Sequence, residues 1–142
     1  MKDSTAKWIA FAEENLGCAR LVAESEYYNA ALQNVQQAVE KALKALVIER
    51  GLDFCKTHSI QQLRDMLADE GLGDFLTDEQ CDLLDSIYLS SKYPLGSALP
   101  ASEADADICR KCTQIAETVL QKLHRFLDER PQDEGAESDL AE

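Results

Sequence analysis

Two histidines, five cysteines and a scatter of lysines are the side chains from which this chain would have to build acid–base, redox or anion-binding chemistry. His58 stands in KTHSIQQL, Lys56 to Leu63, and His124 stands beside Arg125 further on. An imidazole titrates near neutral pH, so it can move protons or ligate a metal. Cys109 and Cys112, in CRKC, have the spacing of a thiol redox pair or of half a zinc site. They lack a second ligand pair nearby and fall inside a helical stripe, so core thiols are the favoured reading, and neither metal nor cofactor is called for. The third group is Lys41, Lys44, Lys56, His58, Lys92 and Tyr93. Brought together, these would make a local phosphate-binding patch, with lysines as point charges and Tyr93 to hydrogen-bond or stack on a base. The alternative is a solvated lysine face, a packed Tyr93, and a Pro94 that only ends a helix. His58 also has two readings: ligand contact, or a brace that bonds a backbone carbonyl of the preceding helix beside a helix start.

The elements that must position these groups follow from apolar periodicity. Trp8, Ala12, Leu16, Ala19 and Val22 recur every three or four residues from Ser4 to about Ser25, which predicts one helix face. Ala31, Val35, Ala38, Ala42 and Leu46 do the same from Asn29 to about Arg50, widened by Val39 and Leu43 and stopped by Gly51. Glu40 and Lys44 form a favourable pair one turn apart on this helix. SIQQ reads as a capping box, in which Ser59 accepts from the Gln62 amide and the Gln62 side chain reaches back. That third helix runs through Leu63 and Leu67 to about Glu70, where GLGD breaks it. Thr77 or Asp78 caps a fourth through Leu84 and Ile87, ending before KYPLGSALP. Ile108, Cys112, Ile115, Val119, Leu123 and Phe126 mark the last and longest, from about Ser102 to Arg130.

Amphipathic helices joined by modest loops bury their stripes against one another, so the expected fold class is all-α, an antiparallel up-and-down helical bundle of four to five helices. The composition agrees: 142 residues, 45% hydrophobic, with six glycines and three prolines, make one core and few turns. The formal charge is −13, and five of the acidic side chains crowd into PQDEGAESDLAE at the end. Residues 1–130 are therefore expected to form the bundle and 131–142 a solvated, disordered acidic tail. An acidic body disfavours bulk nucleic-acid binding, which needs cations to displace phosphate counterions. The absence of long apolar runs and the polar start MKDSTAKW predict a soluble, cytoplasmic protein without membrane insertion, with its odd number of cysteines reduced. Small side chains in AALQNVQQA permit close approach of two helices, and a homodimer is expected.

Trp8, the segment YYNAALQNVQQAVEKALKALVIERG, the KTHSIQQL that follows, and YLSSKYP before a long last helix together resemble the HEPN family of small helical bundles. The resemblance spans roughly residues 6 to 127. It implies one of two activities. Many members resemble metal-independent ribonucleases whose arginine and histidine, four to six residues apart, stabilise phosphate charge and move the 2′-hydroxyl proton. Others lack that pair and are nucleotide-binding or partner-binding modules associated with nucleotidyltransferases. Here the positions ahead of His124 are Glu117, Thr118 and Val119, those ahead of His58 are Gly51, Leu52 and Asp53, and Arg50 stands too far away. The reading is therefore a non-catalytic module, dimeric, nucleotide-binding and paired with a nucleotidyltransferase in a toxin–antitoxin arrangement. The alternatives are an atypical ribonuclease and an adaptor bundle without a ligand.

Overall fold

The computed structural model describes residues 1–53, 56–92 and 104–129, with 90–92 as backbone. Within them the helices are α1 (Asp3–Glu24), α2 (Tyr28–Glu49), α3 (Ile60–Ala68), α4 (Asp78–Lys92) and α5 (Ala106–Asp128). A 3-10 turn at Gly73–Phe75, which the periodicity had not indicated, fills the break between α3 and α4. The fold is all-α, as expected. Cys55, Tyr93, Pro94 and the acidic segment 131–142 lie outside the described residues.

The first two helices form an antiparallel hairpin. Lys2 meets Glu49, Trp8 meets Lys44, Phe11 meets Lys41 and Asn15 meets Asn34, one number rising as the other falls. α2 is the central element, in contact with α1, α3, α4 and α5. That position explains why its apolar stripe has widened almost to a cylinder, from Ala31 to Val47. Ala31 and Ala38 are 1% and 0% exposed, so these two small side chains of AALQNVQQA serve packing inside the chain.

Chain reversals follow local rules. After α2 the amide of Gly51 bonds the carbonyl of Ile48 and that of Leu52 bonds Val47, with Gly51 at φ +70°, a left-handed stop natural to glycine. Gly73 answers a different need: a Cβ there would come within 2.7 Å of the Ala68 Cβ, so the 3-10 turn folds back closely on the end of α3. α4 starts with a full capping box, Thr77 Oγ1 accepting from the Gln80 amide and Gln80 Oε1 from the Thr77 amide. α5 begins at Ala106, later than the periodicity suggested, because the Asp105 carboxylate caps it by accepting from the Ile108 amide at 2.9 Å.

The start of α3 is only half local. Ser59 Oγ accepts from the Gln62 amide at 3.2 Å, as predicted, but Gln62 does not reach back to Ser59 and instead bonds Thr57 Oγ1. The remaining end groups go to Asp85 of α4, which accepts from the Ile60 amide (2.7 Å), the Gln61 amide (3.2 Å) and the Ser59 hydroxyl (3.1 Å). Asp85 thus clamps two helices. Asp85→Ala is expected to cost about 2 kcal/mol, the upper end for a lost cap, measured as a shift in the urea midpoint. An unchanged midpoint would mean that Ser59 alone suffices.

Candidate functional site

Gln36, Glu40 and Lys44 are spaced one turn apart and form a polar line on the otherwise apolar α2, at 2%, 3% and 5% exposure. Glu40 is the hub. Its Oε1 accepts from Gln36 Nε2 at 3.2 Å, and its Oε2 accepts from Lys44 Nζ at 2.8 Å. His58 Nδ1 lies 3.2 Å from the same Oε2. A carboxylate only accepts, so Nδ1 of the imidazole is the donor in this contact. The brace expected of His58 therefore exists, but it ends on a side-chain carboxylate of the second helix instead of a backbone carbonyl.

The imidazole stacks on Tyr88, centroids 5.0 Å apart and planes 16° from parallel. Tyr88 stands three residues beyond Asp85 on α4, so one helix face both caps α3 and backs the histidine that precedes it. The other end of the line runs onto α1. Lys44 Nζ lies 5.8 Å from the Trp8 ring centroid, and Trp8 meets Phe11 edge to face at 6.4 Å. Lys41 Nζ sits 5.9 Å from the half-exposed Phe11 ring and donates to Asn15 Oδ1 at 2.7 Å. A continuous strip of aromatic rings and cations results, crossing α1, α2, the approach to α3, and α4.

The expected patch is thereby rearranged. Lys44 and His58 meet through Glu40, which the sequence had shown only as a helix partner of Lys44. Lys41 reaches toward α1, and Lys56 is exposed two residues before His58. Lys92 ends α4 with its side chain outside the description, as is all of Tyr93. Glu40, Gln36, Trp8, Phe11 and Tyr88 were missing from the predicted site. The four-residue spacing of Gln36, Glu40 and Lys44 was the one available signal, since the contacts of His58 with Glu40 and Tyr88 are non-local.

Several guanidinium groups are committed elsewhere. Arg50, the near miss to His58, pairs with Glu70 at 3.5 Å. Arg64 bonds Asp65, Asp78 and the Leu76 carbonyl, and its bonds to Asp78 and Asp65 hold its charge and push its pKa up. Arg20 pairs with Glu117, and Arg110 with Asp107. His124 Nε2 bonds Glu13 Oε1 at 2.8 Å on the α1–α5 side.

Three of the four described cysteines belong to the core. Cys81, Cys109 and Cys112 are buried, while Cys18 is exposed. Burial pushes the Cys81 and Cys112 thiols up to about 11 and raises Cys109 as well, which keeps them protonated at neutral pH. Among the described residues no cluster of three or more His, Cys, Asp or Glu is placed to hold a metal, and no helix is long and apolar enough to cross a membrane.

Comparison with known proteins adds relatives to this geometry. The family description "HEPN domain" matches residues 5–126. The Methanocaldococcus jannaschii protein named "Putative toxin MJ1304" is 26% identical over 133 residues, covering 87% of this chain and 88% of that one. Two solved structures superpose on most of the bundle. "ST0689, an archaeal HEPN homologue" does so at TM-score 0.65 and 27% identity, over 87% of this chain and 97% of its own. The protein TT1696 of Thermus thermophilus gives 0.67 and 27%, over 85% and 96%.

Proposed function

The chain belongs to the HEPN domain family, and on that premise we propose that it is a dimeric module of a toxin–antitoxin pair that acts by binding a nucleotide and a nucleotidyltransferase partner, without cutting RNA. The observation that carries this reading is the partnership of the histidines: each bonds a carboxylate, Glu40 or Glu13, where phosphodiester cleavage would want a guanidinium beside it. The toxin name of the archaeal relative supports the pairing, and exposed Phe11 and Leu21 on α1 offer apolar surface to a second copy. The nucleotide lies against the strip. Lys56 and His58 contact it directly, Lys41 extends the positive charge, and Lys44 acts indirectly by neutralising Glu40.

A second reading has its own support. The Glu40 carboxylate holds Nδ1 of a half-exposed His58, a carboxylate–imidazole pairing of the kind that orients a general base, which fits an atypical metal-independent ribonuclease. One set of measurements separates the two. Millimolar ATP, GTP or AMP is expected to raise the melting temperature, since a ligand at about 100 times its Kd adds about 2.7 kcal/mol, while total RNA in EDTA stays intact. No shift with any of the three removes the nucleotide from the proposal. RNA cleavage that disappears in His58→Ala replaces it with the second reading.

A further inference from the structure

A groove of about 400 Å³ runs between the 3-10 turn and α5, built from residues none of which belongs to the His58 strip. Its floor is apolar: Phe75, Leu76 and Ile115 are 6%, 4% and 7% exposed. Its charged wall is α5. Lys111 and Lys122 are eleven residues apart, which brings them back to one helix face about 16 Å from each other. Lys122 does not swing freely, because its Nζ donates to the Asp74 carbonyl across the groove at 2.8 Å. Between the lysines, Gln114 and Thr118 present an amide and a hydroxyl. Opposing this, Asp74 is the one acid of the lining, so two cations and one anion face the groove. In a chain of net charge −13 that is a local excess of positive charge.

The spacing of the two lysines along α5 decides the class of ligand. A phosphate or polyphosphate wants donors that converge, and a nucleobase wants an exposed aromatic face. Here the two lysines leave α5 about 16 Å apart, Lys122 is held on the Asp74 carbonyl, and the one ring in the floor, Phe75, is buried. We propose that the groove binds an extended acidic peptide segment of a partner protein, with a carboxylate at each end and an apolar side chain between them. An extended strand rises about 3.3 Å per residue and puts alternate side chains on one face. The pattern acid, any, apolar, any, acid therefore aims three side chains at Lys122, the floor and Lys111 over about 13 Å, and flexible lysine stems close the difference. Gln114 and Thr118 are placed to meet the peptide backbone.

The full-length protein and a capped, fluorescein-labelled peptide with the core Glu-x-Leu-x-Glu test this by anisotropy. Saturable binding is expected, weakened about tenfold in Lys111→Glu with Lys122→Glu, and about fivefold when the peptide glutamates become glutamines. The milder pair Lys111→Gln with Lys122→Gln, checked for an unaltered melting curve, separates lost binding from lost folding. The proposal is overturned if the peptide fails to bind at millimolar concentration, or if affinity is the same in both double variants as in the parent. It is equally overturned if ATP or AMP displaces the peptide and itself depends on the same two lysines, because the groove would then be a nucleotide site.

Discussion

Glu40→Ala is expected to lower the stability of the fold by about 3–4 kcal/mol, a fall in Tm on the order of 10 °C. The substitution leaves the Lys44 ammonium, 6% exposed, without the carboxylate 2.8 Å away, and deprives Gln36 and His58 of their common acceptor. Removing one member of a buried pair costs far more than the pair itself contributes, since the charge left behind has already given up water and then loses this carboxylate too. The double variant Glu40→Leu with Lys44→Met should therefore regain most of the loss, and the comparison of single and double variants by urea denaturation is the measurement. If Glu40→Ala unfolds within about 1 kcal/mol of the parent, Lys44 finds solvent at no cost and the network is not structural. In the proposed function the same substitution also frees His58 to turn, so the nucleotide shift should vanish even in the stabilised double variant.

Leu46→Ala carries the second large effect, about 3–4 kcal/mol. Leu46 is 0% exposed, on the helix that α1, α3, α4 and α5 all touch, so neighbours on several sides would have to move together to close the cavity. Leu46→Met nearly conserves volume and should stay within about 1.5 kcal/mol. Leu21→Ala, at 67% exposure, serves as the surface control with about 0.5 kcal/mol or less. A small effect of Leu46→Ala would show that the centre of the bundle collapses readily, against the packing found around α2.

The residues that announced helices and those that make the site differ in kind. Val35, Ala38, Ala42 and Leu46 recur at helical spacing because they share a stripe, and the stripe is buried in the structure. Thr77 with Gln80, Ser59 with the Gln62 amide, and Gly51 act within a few residues of their own position, so their roles were readable from neighbours alone. The Asp105 cap was not legible, because the apolar period drifts smoothly through the residues before it. His58 was the instructive case. Its position before a helix start was legible, but its acceptor was not, since Glu40 is 18 residues away and reaches it only when α2 and the approach to α3 pack together.

By itself, then, the sequence determined the helical class, the stripes that form the core, the local stops and caps, and, through the order of its motifs, the family. These rest on interactions within one or two turns, which the 3.6-residue period exposes directly. Tertiary structure alone decided which charges meet. It gave Asp85 of α4 the start of α3, committed Lys44 to Glu40, set Tyr88 against His58, and drew Lys41 toward Phe11. The physical reason is that a buried charge must find its partner wherever packing places one, and packing joins residues whose separation along the chain carries no signal.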